Sequence, residues 1–559
     1  MSIIKFCALG GLGENGKNMY VVTVDDKLFV LDAGLKYPSA ELYGIDSVIP
    51  NIDFLEENRD KICGVFLSHG HEDNIGAILE VIKRTDAPIY TTNFTASIVE
   101  LMMEEESLRF EKERIIRISE KDKLKFDNVT VTFFNTTHSI PESVGISINT
   151  ADGSVVYAPD FALNPTNDVH YRTSFDKITD ISKNKTLVLC PESLGVNNFN
   201  RVEHDYGFNY KIKELLQKKK RIIFSMFSSN LQGIQKVIDL CVAENRKIAI
   251  MGRKTQKTIN VAMSMGYLKI PNKNLKNLKF MTPENSNDDD NLVIIIAGSR
   301  HEPYFMLLRM MTDQDRLVAL RKEDIVCIIA PPVHGTEKIA GKTKESLYKL
   351  GCKVSIFGKE ILRSSHANGE DLKLMYQLLS PKYIIPVVGE FRHQYQHRNI
   401  AIENGYKNSN IVMLDNGDQV TFIDGNLQEK REKVEVGDVL IDGSIIGDIN
   451  EIVIKDRQYL SDNGAVVAVV NIDTNISKIV AGPKIISKGF IATNIWNEIV
   501  VELESITYNV VVKHLRKVEV DFNALKNDIR DKLAKEIEKT TNKRPVILPV
   551  VINMCEEDM

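Results

Sequence analysis

Three side chains of metal-ligand type follow one another closely in the segment Leu67-Ser-His-Gly-His-Glu-Asp-Asn-Ile75. They are His69, His71 and Asp73, at alternating positions. Two imidazoles two residues apart in an extended loop can point to the same side and share a metal ion. A pair of solvated loop histidines is the competing interpretation of a bare His-x-His. The aspartate that follows, and the elements on either side, favour the metal site.

The elements around this segment predict where the ligands lie. The apolar run Val65-Phe-Leu67 is typical of a buried parallel strand, and apolar residues with helical spacing follow between Asn74 and Arg84. We therefore expect His69, His71 and Asp73 on the loop at the carboxyl end of a strand. Open α/β folds hold their ligands at that edge.

Two further residues of metal-ligand type stand at the ends of apolar strands. His138 follows a run that begins at Phe133, and Asp160 follows a run that begins at Val155. Taken alone, each is more simply a hydrogen-bonded loop residue. Their positions in the chain, after the first histidine pair, make them candidates for the same metal centre.

Length and composition limit the classes of protein to consider. With 559 residues the chain is too long for one hydrophobic core, and about three domains are expected. There is no apolar run of membrane-spanning length, and the N-terminus enters a strand instead of a signal peptide, so we expect a cytoplasmic protein without membrane contact. Seven scattered cysteines predict neither disulfides nor a zinc knuckle.

The charge pattern gives no overall signature of nucleic-acid binding. The net charge is -5, so any such binding must come from a local groove. The densest basic run is Lys218-Lys-Lys-Arg221, directly before the predicted strand Ile222 to Ser225. We interpret this run as a solvated helix end.

The first ligand segment resembles the signature His-x-His-x-Asp-His of the metallo-β-lactamase superfamily. His69, His71 and Asp73 reproduce it up to the last position, where Asn74 stands. An asparagine amide cannot replace an imidazole nitrogen as a strong zinc ligand. By the same resemblance, His138 and Asp160 are the third and fourth metal motifs, and Asp160 would bridge two ions.

The rest of the chain is similar to the ribonuclease J family of metallo-β-lactamase/β-CASP nucleases. Leu187 to Ser193 resembles the segment that introduces the β-CASP insertion, and Gly482 to Phe490 resembles the C-terminal domain. The resemblance implies an α/β fold: a metallo-β-lactamase αββα sandwich, an inserted β-CASP α/β domain and a small α+β C-terminal domain. The expected segments are 1–200 and 361–430 for the metallo-β-lactamase domain, 201–360 for the insert, 431–449 for a linker and 450–559 for the C-terminal domain.

The resemblance implies a first metal site with all its ligands present. In the family, two metal ions prepare water for in-line attack on phosphorus and stabilise the developing charge. Here one ion, expected to be Zn²⁺, would be held by His69, His71 and His138 together with Asp160. The catalytic residues implied by the family are Asp73, Asp160 and His366.

The second metal site lacks two of the four ligands that the family uses. Asp73 and Asp160 are present, but Asn74 and Val388 stand where the family has imidazoles. The oxygen-rich remnant would suit Mn²⁺ or Mg²⁺ better than zinc, and we expect this site to be empty. His393 and His397 lie close to Val388 in sequence, yet both fall in a predicted helix, and we do not expect them to compensate.

A substrate pocket is also implied by the resemblance. His366 would contact an RNA phosphate or protonate the leaving oxygen, although a hydrogen-bonded loop histidine is the alternative. The residues expected to bind the 5′ phosphate of RNA are Ser228, Ser229, Asn230, Ser364, Ser365 and His366.

Two functions remain open at this point. The first is a 5′-to-3′ exoribonuclease, with endonuclease activity as a second mode, that acts on single-stranded RNA in rRNA processing and mRNA decay but has a degraded metal centre and weak activity. The second is a catalytically impaired RNA-binding subunit that assembles with an intact ribonuclease J paralogue, as in bacteria that carry two copies. Homo-oligomers and an RNA degradosome are further expected assemblies. A thioester or lactam hydrolase is disfavoured by the insert and the C-terminal domain.

Overall fold

The computed structural model describes most of the chain. The described residues are 2–39, 41–164, 166, 168–198, 206–252, 255–287, 289–333, 335–358, 361–443, 445–447 and 451–554. The chain divides into two units. The first comprises Met1–Tyr37 and Ser47–Val439, and the second comprises Pro38–Asp46 and Leu440–Met559.

The first unit begins with strands and short helices. In chain order they are β1 (Ile3–Gly10), β2 (Met19–Val24), β3 (Lys27–Leu31), β4 (Ser47–Pro50), α1 (Asp53–Glu57), β5 (Ile62–Phe66), α2 (Glu72–Ile75), α3 (Ile78–Arg84), β6 (Ile89–Thr91), α4 (Asn93–Glu105), β7 (Ile115–Arg117), β8 (Lys123–Phe126), β9 (Val129–Asn135), β10 (Val144–Thr150), β11 (Gly153–Ala158), α5 (Phe175–Ser182) and β12 (Thr186–Pro191).

The next part of the first unit alternates helices and strands. It comprises α6 (Tyr206–Leu216), β13 (Ile222–Phe227), α7 (Leu231–Ala243), β14 (Lys247–Met251), α8 (Gln256–Ser264), the 3-10 turn Leu278–Phe280, α9 (Pro283–Asn287), β15 (Leu292–Gly298), α10 (Glu302–Met311), β16 (Ile325–Ile328), α11 (Glu337–Leu350) and β17 (Lys353–Ile356). The unit then continues through α12 (Gly369–Leu379), β18 (Tyr383–Ile384), α13 (Phe391–Glu403), β19 (Asp418–Ile423), β20 (Asn426–Leu427) and β21 (Glu432–Lys433).

Two sheets face each other in the metallo-β-lactamase part. One has the order β20-β19-β1-β2-β3-β5-β6-β7, with β21 also paired to β19, and the other has the order β18-β12-β11-β10-β9-β8. Aromatic side chains from both sheets form the core between them: the rings of Phe66 and Phe133 lie 6.3 Å apart, and those of Tyr20 and Tyr157 lie 5.4 Å apart. The predicted sandwich is confirmed, and each sheet ends in loops that carry the candidate ligands.

Helices cover the outer face of the second sheet. Phe134 and Val156, on β9 and β11, pack in one buried cluster with Ile178 of α5, Leu372 of α12 and Ile400 of α13. This contact fixes the carboxyl ends of β11 and β12, where Asp160 and an acid at position 192 follow. The apolar alternation of the strands therefore determines where both carboxylates lie.

The insert has its own parallel sheet, in the order β14-β15-β13-β16-β17. Every residue of Leu292–Gly298 is buried, as expected for a parallel strand that is covered on both faces. Arg221 and Asp324 form a fully buried ion pair at the amino ends of β13 and β16. The predicted separate α/β domain is confirmed.

The helix expected between Asn74 and Arg84 is divided in two. α2 ends at Ile75 and α3 begins at Ile78, because the N–H of Ala77 donates to the carbonyl oxygen of Ala33 and not to that of Asp73, which accepts from the N–H of Asn18. Helix α2 also begins earlier than predicted, at Glu72. Asp73 therefore lies in the first helical turn, where the helix dipole favours acidic side chains, and its expected place on the loop is wrong.

The second unit contains a three-stranded sheet and long helices. After β22 (Asp438–Asp442), which enters it, come β23 (Ile445–Ile446), α14 (Glu451–Asn463), β24 (Ala465–Asp473), β25 (Lys478–Lys488), α15 (Thr493–Leu515), α16 (Phe522–Thr541) and β26 (Val546–Asn553). Strand β24 is central, antiparallel to β25 and parallel to β26. The apolar face of α16 is buried, at Leu525, Ile529, Leu533 and Ile537. Within the described ranges, no helix is long and apolar enough to cross a membrane.

Candidate metal centre

Three imidazoles meet at the carboxyl ends of the strands. His69 and His71 follow β5, and His138 follows β9. The distance from His69 Nε2 to His71 Nδ1 is 3.1 Å, and that from His138 Nε2 to His71 Nδ1 is also 3.1 Å. Asp160, which follows β11, places its Oδ2 3.3 Å from His69 Nε2. The four predicted ligands of the first site are thus brought together.

The outer nitrogen of each imidazole is held by an acceptor. The Ser68 hydroxyl donates to an aspartate, so His69 Nδ1, 2.9 Å away, donates to the Ser68 oxygen. His71 Nε2 donates to the carbonyl oxygen of Ser229 at 3.2 Å, and His138 Nδ1 donates to the carbonyl oxygen of Ser365 at 2.8 Å. Each proton therefore sits on the outer nitrogen, and each inner nitrogen presents a lone pair to the centre.

Because the inner nitrogens carry no protons, the three rings can bind a cation but cannot hydrogen-bond to one another. Burial lowers the pKa of His69 to about 3 and holds the pKa of His138 well below its usual range, so both rings are neutral. Three converging lone pairs repel one another unless a cation lies between them. Three imidazole nitrogens with a carboxylate oxygen are the donors that Zn²⁺ prefers. These residues fit a zinc ion.

A second cluster adjoins the first through Asp160. His366 Nδ1 lies 2.9 Å from Glu192 Oε2, to which it is hydrogen-bonded, and 3.0 Å from Asp160 Oδ1. Burial opposes charge on His366, but the carboxylates of Glu192 and Asp160 outweigh it and raise its pKa well above the usual range. Burial alone would raise the pKa of Asp160, yet the positive charge of His366, whose Nδ1 lies 3.0 Å from Asp160 Oδ1, lowers it. His366 is therefore an imidazolium between two carboxylates.

Glu192 is a site residue that the sequence did not assign. It directly follows β12, and its Oε1 accepts the backbone N–H groups of Phe161 and Ala367, both at 2.9 Å or less. Its position as an acid at the end of a buried strand is the signal that could have identified it. Glu192 holds the backbone on both sides of the cluster as well as the His366 ring.

The amide nitrogen of Asn74 is held by a hydrogen bond to Asp32. Its Nδ2 donates to Asp32 Oδ2 at 2.7 Å, and the same carboxylate accepts from the hydroxyl of Tyr157 at 2.7 Å and from the backbone and hydroxyl of Ser68. The remaining Oδ1 of Asn74 is buried and accepts no hydrogen bond from the described residues. Beside it, burial and the charge of Asp160 raise the pKa of Asp73 to about 6.

Val388 contributes no ligand atom. Its side chain is buried in the core between the sheets, and its N–H donates to the Tyr20 hydroxyl at 3.1 Å. Its φ of 55° is unusual for a β-branched residue.

The two neighbouring histidines are engaged elsewhere. His393 Nδ1 accepts from the backbone N–H of Glu390 at the start of α13, and His397 Nδ1 lies 2.9 Å from the hydroxyl of Ser193. Among the described residues, neither histidine belongs to a cluster of metal-ligand groups.

A small polar pocket of about 60 Å³ opens beside His138. It is lined by Thr137, His138, Ser139, Asn164, Thr166, Asn230, Gln232, Arg363, Ser364 and Ser365. Of the predicted phosphate-binding residues, Asn230, Ser364 and Ser365 line it, while Ser229 uses its carbonyl to orient His71. Ser228 is buried and does not line the pocket, because its N–H is bonded to the Gly298 carbonyl.

The asparagine and the arginine of the pocket, Asn164 and Arg363, were not predicted. Asn164 Nδ2 donates to the carbonyl oxygen of Ser364 at 3.0 Å. Each lies within four residues of a predicted site residue, which is the only signal that the sequence offers for them.

Four family models match the chain. They are the Ribonuclease J beta-CASP domain at 219–347, the Ribonuclease J C-terminal domain at 452–554, the beta-lactamase superfamily domain at 31–176 and the Zn-dependent metallo-hydrolase RNA specificity domain at 359–412.

Curated relatives match along almost the whole length. A protein named Ribonuclease J 2 from Staphylococcus saprophyticus is 36% identical over 556 residues, which is 98% of each chain. Proteins of the same name from Staphylococcus epidermidis and Staphylococcus aureus are 35% identical over 555 residues, again 98% of each chain. The chain belongs to the ribonuclease J family. It is thus a ribonuclease by family, and its three clustered histidines lie in the part of the chain that matches the beta-lactamase superfamily domain.

A solved structure shares the fold of this ribonuclease J. The crystal structure of a protein of unknown function from Enterococcus faecalis covers 75% of this chain and all of its own, with a TM-score of 0.51 and 15% sequence identity. At that identity the likeness concerns the fold alone.

Proposed function

We propose that this ribonuclease J hydrolyses single-stranded RNA from its 5′ end at one strong metal site, and that its activity is weak. The observation that carries the proposal is the contrast between the two sites. The three histidines of the first site have fixed tautomers and converge within 3.1 Å, whereas Asn74 is bound to Asp32 and Val388 has no donor atom. Endonucleolytic cleavage at the same centre is the second mode.

Zn²⁺ in the first site would supply the positive charge that acidifies water and stabilises charge on phosphorus. His366 is held as an imidazolium by Glu192 and Asp160, so its Nε2 proton can be given to the leaving oxygen. The hydroxyl, amide and guanidinium groups of the adjacent pocket suit a terminal phosphate. Asp73, Asp160 and His366 are the proposed catalytic residues.

The second metal site is proposed to be empty of zinc. Its remaining groups are the carboxylates of Asp73 and Asp160 and the Oδ1 of Asn74, which has no hydrogen-bond donor within the described part of the chain. Oxygen donors bind Mn²⁺ or Mg²⁺ in preference to zinc. We therefore expect added Mn²⁺ to raise activity more than added Zn²⁺ does.

The substitutions at positions 74 and 388 favour a second candidate function. A chain that binds RNA but hydrolyses it poorly can serve as a subunit beside an intact ribonuclease J paralogue, in hetero-oligomers or an RNA degradosome. In that case the pocket and the RNA specificity domain would contribute binding, and the paralogue would contribute hydrolysis. Homo-oligomers are compatible with both candidates.

Degradation of a 5′-monophosphorylated RNA in Mn²⁺ distinguishes these candidates. The purified protein is compared with a variant carrying His69→Ala and His71→Ala, and with the control His170→Ala, an exposed histidine outside the cluster. If the wild type and the control are both clearly faster than the double variant, the first site carries catalysis. Equal trace activity in all three proteins would refute the enzyme and leave the binding subunit.

A further inference from the structure

Helix α6 presents an exposed stripe of tyrosine and lysine. Tyr206 is 77% exposed and Tyr210 is 74% exposed, and Lys213 continues the stripe at helical spacing. The opposite side of the helix is buried, at Phe208 and Ile212 among others. Two exposed aromatic rings four residues apart on one helix face can stack two separate planar groups.

Further lysines flank this stripe on the side of the edge strand β17. Lys211 Nζ donates to the carbonyl oxygen of Ile356 at 3.0 Å and lies 4.6 Å from the centre of the Phe357 ring, which places α6 beside the end of β17. Lys218 Nζ is paired with Glu214 Oε1 of the same helix at 2.7 Å, and Lys218 also lies close enough to Lys353 to lower the pKa of Lys353. We call the group Tyr206, Tyr210, Lys213, Lys218 and Lys353 the α6 face.

The α6 face begins next to the polar pocket. A β-carbon at Gly207 would lie 4.0 Å from the side chain of Ile361, and Arg363 and Ser364, two and three residues further on, line the pocket. The segment Ile361 to Ser364 thus contacts the first turn of α6 at one end and lines the pocket at the other.

We propose that the α6 face is a second contact surface for single-stranded RNA, on which bases stack on Tyr206 and Tyr210 while lysines meet the phosphates. The proposal rests on RNA binding at the pocket. Stacking aromatics beside a basic groove are the features with which proteins bind single strands without sequence preference. Protein interfaces, by contrast, are depleted of lysine. Because the net charge is -5, the chain as a whole does not attract RNA, and a local basic face is needed for that attraction.

Two hydrolysis-resistant phosphorothioate RNAs with a 5′ monophosphate test the proposal, one of 20 nucleotides and one of three. The trinucleotide can occupy the pocket, and the 20-mer can also reach the α6 face. The double variant Tyr206→Ala, Tyr210→Ala should bind the 20-mer at least about tenfold more weakly, by fluorescence anisotropy, and bind the trinucleotide as the wild type does. For the double variant Lys213→Ala, Lys218→Ala, the logarithm of the 20-mer binding constant should fall less steeply with the logarithm of salt concentration. The magnitude of this slope should decrease by about 0.7 for each phosphate that a lysine no longer neutralises.

The matched control changes an exposed aromatic and an exposed lysine next to β14, at the far edge of the same sheet. It is Lys279→Ala, Phe280→Ala, with Phe280 being 69% exposed, and it should bind both RNAs normally. If the wild type binds the 20-mer and the tyrosine variant binds it equally well, the α6 face is excluded and the pocket proposal stands. A change in oligomeric mass by light scattering, with RNA affinity unchanged, would assign the face to a protein partner and also overturn the proposal. If the wild type binds neither RNA, both proposals fail.

Discussion

Restoring two imidazoles tests whether the second metal site is lost only through its side chains. The variant combines Asn74→His with Val388→His. Because Asp73 and Asp160, the other two ligands that the family resemblance implies, are present, two added ring nitrogens would give four ligands. We expect the bound zinc to rise from about one to about two ions per chain, and RNA hydrolysis to rise at least about tenfold, since even the loss of a group that only supports a ligand costs roughly 10–100-fold.

The structure indicates that the fold tolerates both changes. Removing the buried Val388 side chain lowers the free energy of unfolding by about 1.5–3 kcal/mol, because its apolar surface is no longer buried. A left-handed backbone conformation costs an L-residue about 1–2 kcal/mol. Histidine adopts this conformation more readily than a β-branched residue does. At the φ of 55° found at position 388, the change to histidine therefore offsets part of the lost apolar burial. At Asn74, an imidazole N–H can replace the amide as donor to Asp32, now 2.7 Å away. The net cost stays below the roughly 5–15 kcal/mol by which a domain is stable.

Metal analysis and thermal unfolding measure the outcome together. An ion present at about 100 times its Kd stabilises the protein by ~2.7 kcal/mol, which is roughly 5 °C in Tm for a large domain. The double variant should gain this additional shift on zinc addition, and each single variant should gain less. A folded double variant that still binds one zinc and hydrolyses RNA at the wild-type rate would refute the reasoning, because the backbone would then be unable to present the ligands.

Three further variants probe the supports of the first site and the insert. Glu192→Gln removes a carboxylate from the imidazolium of His366, and we expect hydrolysis to fall about 100-fold while zinc content is unchanged. Asn74→Ala removes the amide donor from the network behind the ligands, and zinc affinity of the first site should fall about 10–100-fold by isothermal titration. Asp324→Ala leaves the fully buried Arg221 without its carboxylate and should destabilise the insert by about 3–5 kcal/mol in urea unfolding.

Matched variants control these experiments. Asp290→Ala removes a more exposed partner of Arg321, and a surface ion pair contributes only about 0–1 kcal/mol, so the insert should unfold almost as in the wild type. An equal effect of Asp290→Ala and Asp324→Ala would contradict the role assigned to burial. Loss of zinc in Glu192→Gln would mean that Glu192 acts on the metal ligands and not through His366.

The positions of most residues of the candidate metal centre could be predicted, because each of them follows the end of a strand. His69, His71, His138 and Asp160 each follow an apolar run, and parallel or adjacent strands bring their carboxyl ends to one edge. The spacing within the chain therefore implied proximity in space. The family resemblance adds the expectation that Asn74 leaves the second site without one imidazole ligand, and this stays a prediction.

The acceptors behind the ligands could not be predicted in the same way. Ser229 and Ser365 orient His71 and His138 through backbone carbonyl oxygens. Every residue has a backbone carbonyl, so the residue type does not indicate which one accepts the hydrogen bond. The division of the helix after Asn74 depends on hydrogen bonds to Ala33 and Asn18, which are distant in sequence. The exposed stripe that includes Tyr210 also lacked a sequence signal, because exposure on a helix depends on which face packs against the sheet.

The two substituted positions keep the surroundings of a metal site although they lack its ligand atoms. Asn74 retains a donor to Asp32, and this carboxylate accepts from the Ser68 hydroxyl, which in turn accepts from His69. Val388 retains a left-handed backbone and a hydrogen bond from its N–H. Both positions thus differ from the imidazoles that the family resemblance implies in their side-chain atoms, while the hydrogen bonds behind the first cluster are present. We therefore expect the chain to bind zinc and RNA and to hydrolyse RNA weakly.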